Sequence, residues 1–298
     1  MNTPTKLAGF ALVLVAAFGG AAGLGNAVGP MESSTPSAEH ASMNMGSEDA
    51  TAGGSASDEI PGGLLVSQDG YTLDLAQNSL PAGAEVPMSF RVLGPDGAPV
   101  TTYDVTHDKE LHLIAVRRDL VGFQHVHPEL AADGTWSIPL GLTAGQWRVF
   151  ADFEPAGHGD NLILGADLAV AGDYAPQALP GPSATAEVDG YVVTLDGDLV
   201  PGQESELILT ISKDGEPVTD LQPYLAAYGH LVALRDGDLA YLHVHPGGEP
   251  GDGITEPGPA ITFYANVPSA GGYRLFLDFQ HDGVVRTAEF TAQAGGTG

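Results

Sequence analysis

Apolar and polar residues alternate in short runs along most of this chain, and glycine-rich or aspartate-rich turns separate the runs. YTLDL, EVPMSFRVL, LHLIAV, GFQHVH, TWSIPL, QWRVFADF and LILGADLAV follow one another between residues 71 and 170, with PDG, RRD, ADG and LTAG between them. Alternation over a few residues, rich in β-branched and aromatic types, is the signature of half-buried strands. After residue 30 no long stretch of helical period occurs, and no strand–helix alternation is visible. About seven strands in ~110 residues predict an immunoglobulin-like sandwich.

The pattern then repeats. GYTLDL at Gly70 matches GYVVTL at Gly190, and GPDGAPVTTY at Gly94 matches SKDGEPVTDL at Ser212. From Pro99 and Pro217 the match runs without a gap at an offset of 118, and later AGQWRVFADF at Ala144 matches AGGYRLFLDF at Ala270. A fixed-offset match of this length is an internal repeat. The expected architecture is all-β, two tandem immunoglobulin-like β-sandwich domains. Residues 60–172 hold the first repeat and 187–294 the second, with a Pro/Ala-rich linker over 173–186. Trp147 and Tyr273 occupy matching places and read as core aromatics of tyrosine-corner type.

Two segments precede the repeats. Residues 1–28 carry Lys6 and then no charge until Glu32, with the most apolar part from Phe10 to Phe18. That fits a secretory signal with cleavage after Ala27, and equally an N-terminal hydrophobic helix retained as a membrane anchor. Either way Lys6 stays inside and the chain after about residue 30 goes out. Residues 29–59 are rich in Ser, Ala, Gly and Glu and read as a disordered tether.

Composition narrows the chemistry. Ten Lys and Arg against 38 Asp and Glu give a formal charge of −28, which argues against a nucleic-acid partner. The same field attracts cations and keeps the chain soluble. With no Cys, disulfides, thiolate metal sites and cysteine nucleophiles are excluded. A metal site must use His, Met, carboxylate or backbone oxygen.

Histidine supplies one. His125 and His127 alternate along one strand, so both point to the same face, as do His243 and His245 in the second repeat. LHLIAV precedes GFQHVH across a tight turn, which brings His112 to the same face. A register sum of 237 sets His112 opposite His125; a sum of 239 sets it opposite His127. In the second repeat a turn at Asp236–Gly237 gives a sum of 473, placing His230 opposite His243. Two triplets are therefore expected, His112/His125/His127 and His230/His243/His245. Three imidazoles favour copper, then zinc, over hard ions. Asp152 and Asp278 lie within apolar strands and need partners. Each either pairs with the arginine of its own strand, Arg148 or Arg274, or accepts an imidazole N–H and so orients a ligand histidine. His158 and His281 follow these strands as further candidates. In the tether, His40, Met43 and Met45 form a soft-donor set suited to Cu(I). The alternative use of all these groups is structural: each histidine shares its face with apolar residues, and a His–Asp hydrogen-bond network would also close the end of a sandwich.

LHLIAVRRDLVGFQHVHP with GTW and GQWRVFADF resembles a family of actinobacterial exported or membrane-tethered two-repeat proteins, similar in turn to bacterial extracytoplasmic proteins that handle copper or other heavy metals. The resemblance covers roughly residues 60–290 and implies topology and location. The aromatic-x-His-Val-His run is also similar to the copper strand of Cu/Zn superoxide dismutase, but Cys and a His-dense zinc loop are missing here. Two functions follow. One is an extracytoplasmic copper (else zinc) carrier, buffer or sensor. The other is a cell-surface structural or protein-interaction module whose histidines hold no metal. A catalytic metal site is permitted by Glu110 or Asp152 nearby, and nothing requires it.

Overall fold

The computed structural model describes residues 60–295. The signal or anchor segment, the tether, and His40, Met43 and Met45 lie outside the described residues. No helix among the described residues is long and apolar enough to cross a membrane.

Each repeat is a two-sheet sandwich, and both repeats fall in one compact unit. The first contains β1 (Ser67–Gln68), β2 (Tyr71–Leu75), β3 (Ser79–Pro81), β4 (Gly83–Leu93), β5 (Tyr103–Asp104), β6 (Leu111–Arg117), β7 (Gln124–Val126), β8 (Glu129–Leu130), β9 (Thr135–Leu142), β10 (Gly145–Pro155) and β11 (Leu162–Ala171). The second contains β12 (Thr185–Val188), β13 (Tyr191–Asp196), β14 (Gln203–Lys213), β15 (Glu216–Pro217), β16 (His230–Arg235), β17 (Val244–Pro246), β18 (Ala260–Val267), β19 (Gly271–His281) and β20 (Val284–Ala294). All seven expected runs of the first repeat form strands. The short β1, β3, β5 and β8 are additions that the alternation pattern is too brief to signal.

In the first repeat the sheet β1-β2-β4-β9-β8 packs on β3-β11-β10-β6-β7, with β5 on β10. In the second, β12-β13-β14-β18-β17, with β15 on β14, packs on β16-β19-β20. Each has its own core. Phe90, Trp136, Trp147 and Phe153 fill the first; Tyr191, Phe263, Tyr273 and Phe279 fill the second. Trp147 donates Nε1–H to the Thr143 carbonyl at 2.7 Å, and the Tyr273 hydroxyl donates to the Ser269 carbonyl at 2.8 Å. Both core aromatics thus find a polar partner four residues back, as their buried polar tips require.

A third apolar cluster belongs to neither sandwich. Ile114, Val116 and Phe150 from the first repeat meet Val232, Leu234, Tyr241 and Phe276 from the second. The cause is legible in the strands. β4 alternates between buried and exposed positions, whereas every residue of β6 is buried. β6 turns Leu113 and Ala115 into its own core and His112, Ile114 and Val116 toward the other repeat. A continuous apolar run is what a strand covered on both faces requires. The contact is pseudo-symmetric: Phe123 stacks on Phe276 at 3.9 Å, and their counterparts Tyr241 and Phe150 lie 5.8 Å apart. Matching residues His112 and His230 stack on each other, 5.5 Å between ring centres and 12° between planes. At Gly63 the N-terminal segment crosses Phe150 so closely that a Cβ would lie 2.4 Å from the ring, and φ is +72°. Glycine is needed there on both counts.

A candidate metal centre between the repeats

His112 is the second residue of β6, and His125 lies in β7 with His127 just beyond it. The ladder pairs Leu113 with Val126 and Ile114 with His125. This is the 239 register, in which His112 faces His127. Pro128 follows and, with no N–H, cannot extend the ladder. The three rings converge: His112 Nδ1 lies 3.1 Å from His125 Nε2 and 3.2 Å from His127 Nε2. One nitrogen from each residue lies within 4.8 Å of the other two. Two imidazole nitrogens on one ion, each about 2.0–2.1 Å from it, sit roughly 3–3.4 Å apart.

The outward-facing nitrogens fix the protonation. His112 Nε2 lies 3.0 Å from the Thr106 carbonyl, which can only accept, so Nε2 carries the proton and Nδ1 is a bare lone pair. A type I′ turn, Thr106–Lys109, aims that carbonyl; its central residues His107 and Asp108 have φ of 49° and 64°. His125 Nδ1 donates to Asp278 Oδ2 at 2.8 Å, so in the neutral ring the Nε2 lone pair is the one that faces His112. The Thr287 hydroxyl holds the other Asp278 oxygen at 2.6 Å. Two lone pairs therefore face each other at 3.1 Å. Any proton on His127 Nε2 cannot lie between them. Burial, and next the neighbouring His125, pushes His112 down to about 3; burial first, then His125, pushes His127 down to about 4. With all three rings neutral the nitrogens converge as lone pairs, an arrangement that suits a transition-metal cation.

Asp278 belongs to the second repeat. It resolves the choice left open for its strand: Asp278 takes an imidazole N–H rather than an arginine. Arg274 turns instead to Thr291 at 3.0 Å and to Glu289. Asp152, its counterpart, accepts from the Asn161 amide at 2.7 Å, and Arg148 donates to Asp167 and to the Gly63 carbonyl. Burial raises the Asp152 carboxyl above its ordinary value.

The second expected triplet does not assemble. Leu234 bridges Tyr241, a register sum of 475 rather than 473, and the chain then leaves β16. Val244–Pro246 pairs with β18 in the opposite sheet, with His245 beside Tyr264. His245 stacks on Tyr264 at 5.5 Å, its nearest carboxylate Glu204 is 3.9 Å away, and His243 is exposed along a cleft with Tyr241 and Asn161. His230 instead joins the first repeat's cluster, 4.7 Å from His125 between ring centres. His107 adds a fifth ring, 5.7 Å from His230 and 6.0 Å from His112. The remaining candidates are elsewhere. His158 Nδ1 donates to the Asp160 carbonyl in an exposed turn, while His281 is buried between the Tyr191 hydroxyl at 2.7 Å and Asp220 at 3.0 Å.

Sequence reasoning placed Asp278 only with its own repeat, and His107 was not among its candidates. The signal that could have found both is the unbroken apolar run of β6 and β16, which requires a second covering surface.

The model of a family described as "Domain of unknown function (DUF8832)" matches residues 66–163 and 186–296, one segment in each repeat. No protein of curated function matches the sequence. Among solved structures, FdeC, an adhesin of Escherichia coli, is 16% identical over 77% of this chain and 65% of that one, with a TM-score of 0.25. The chain thus spans less than two thirds of it. Invasin, a bacterial integrin-binding protein, is 14% identical over 77% of this chain and 41% of its own, with a TM-score of 0.21. A chimeric titin Z1Z2 tandem is 13% identical over 74% and 97%, with a TM-score of 0.19.

Proposed function

The chain belongs to the DUF8832 family, and from its site geometry we propose that it is an extracytoplasmic protein that binds one transition-metal ion, copper before zinc, at His112, His125 and His127. The carrying observation is the convergence of His112 Nδ1 on His125 Nε2 at 3.1 Å and on His127 Nε2 at 3.2 Å, nitrogens that are unprotonated in the neutral tautomers. The carbonyl of Thr106 and the carboxylate of Asp278 fix these tautomers from outside. A carboxylate behind a ligand histidine raises its basicity and holds its ring for the ion. Three neutral imidazoles without thiolate favour copper by the general affinity order, and zinc next. The charge of −28 concentrates cations near the molecule, and the Lys6 segment supports export. A carrier, buffer or sensor fits a site held between two sandwiches, and none of the groups around it requires catalysis.

The competing role is a metal-free structural or interaction module, and His281 shows that this chain does build such buried networks. Thermal unfolding with and without Cu(II) or Zn(II) separates the two. Metal binding stabilises the native chain by about 2.7 kcal/mol when free ion is ~100 times Kd. The gain should vanish in the His125→Ala/His127→Ala variant. A structural role would lower the melting temperature of that variant in metal-free buffer and give no metal-dependent gain in either protein.

A further inference from the structure

The geometry points to His230 of the second repeat as a fourth nitrogen donor to this centre, so that one ion is held by both repeats at once. The inference rests on the metal reading above. His230 begins β16 and pairs with Asp278, the residue that orients His125. Its strand position therefore carries it to the same edge of the interface.

Three observations support the assignment. First, the spacing fits. The three converging rings lie 5.0 to 5.3 Å apart between centres. His230 lies 4.7 Å from His125 and 5.5 Å from His112. Four imidazoles arranged tetrahedrally about one ion place neighbouring ring centres about 5 Å apart, given nitrogen–ion distances of ~2.0–2.1 Å. Second, His230 is uncommitted. Its Nδ1 is buried and has no hydrogen-bond partner among the described residues. A buried polar nitrogen left so is costly and wants a ligand. Third, the partners for every other role are taken: Asp278 holds His125 and Thr287, and Thr106 holds His112.

Only the first three residues already present nitrogens within 4.8 Å of one another. His230 joins them by turning its ring, and it breaks no hydrogen bond to do so. His107 is a weaker candidate because it is exposed and 6.0 Å from His112. His243 and His245, although they repeat the motif, are drawn to the opposite sheet: His245 pairs with Tyr264, and the His243 carbonyl accepts from the Asn266 N–H at 3.0 Å. The ion then bridges the repeats, and docking of the repeats and metal affinity become linked quantities.

The test is Cu(II) bound to the full chain, read by electron paramagnetic resonance for the number of coordinating nitrogens and by chelator competition for affinity. Wild type should show four nitrogens. His230→Ala and the milder His230→Gln should show three, with affinity reduced by more than the ~10–100-fold typical of losing an outer partner. His243→Ala should change neither readout. Three nitrogens in the wild type overturn the assignment without reference to any variant, and so does a His230→Gln protein with wild-type spectrum and affinity. Either result leaves the three-histidine centre standing. No specific Cu(II) or Zn(II) binding by the wild type would instead remove the metal reading itself.

Discussion

Asp278 is the residue on which the orientation of His125 depends, and it acts from the other repeat. Its carboxylate accepts the Nδ1 proton at 2.8 Å and is itself held by Thr287. Asp278→Asn keeps the shape but removes the charge that makes His125 a strong donor. It should weaken metal binding about 10–100-fold. Calorimetric titration checks this, and an unchanged Kd would show that the pair does not serve a ligand. Acid acts on the same residues. Burial depresses His112 to about 3 and His127 to about 4, while in the unfolded chain both return to 6.5. Between about pH 6.5 and these values the unfolded state binds more protons, so stability falls as pH falls through that window. Metal-free thermal melts from pH 7 to pH 4 should show this loss, with a shallower slope in His127→Asn. A melting temperature that is flat over the range would mean the rings are not held neutral. At this scale the first triplet was legible, because strand alternation and one hairpin dictate it. The role of Asp278 was one of two open readings, and its partner was not legible, since nothing local relates it to a histidine 153 positions away.

The two His-Val-His-Pro stretches show how far a motif is governed by the strand that carries it. In the first repeat the chain stays on β6 through Val126 and reaches β9 only with Glu129–Leu130. In the second it has already crossed to β18 at Val244. One residue type accounts for the earlier crossing. Gln124 lies at the surface and reaches Gly141 of β9 with its side-chain amide, at 2.8 Å in both directions. Leu242, its counterpart, is buried in the core of the second sandwich and draws the strand inward. A gap-free alignment sees equal spacing and cannot see which sheet takes the strand. The expected consequence is one strong site per chain. His243→Ala and His245→Ala should leave metal affinity and stoichiometry unchanged. His125→Ala should cost most of the affinity. A second site of similar strength, lost in His243→Ala, would contradict this reading of β17.

The two sandwiches form one unit because each offers a doubly buried strand pair to the other. That surface was written in LHLIAV and HLVAL as runs without alternation, and the expectation of one half-exposed face misjudged them. Phe123 and Phe276 stack across this interface beside the histidines. Phe276→Ala should destabilise the chain by about 3–5 kcal/mol through the cavity it leaves. It should also weaken metal binding, because Asp278 lies two residues further along the same strand and can no longer be held in place. Denaturant unfolding and a metal titration on the same variant check both effects together. A destabilised variant with undiminished affinity would show that the site does not depend on docking. The whole-chain charge gives the proposed site a setting rather than a geometry: the acidic surface attracts cations in general, and selection among them would fall to the oriented nitrogens.

The most direct measurement is an isothermal titration of the purified chain with Cu(II) and with Zn(II), repeated on His112→Ala/His125→Ala/His127→Ala. One ion per chain in the wild type, tighter for copper than for zinc, and none in the triple variant is the predicted result. Binding no tighter than that of an acidic control protein, or equal binding by the triple variant, would contradict it.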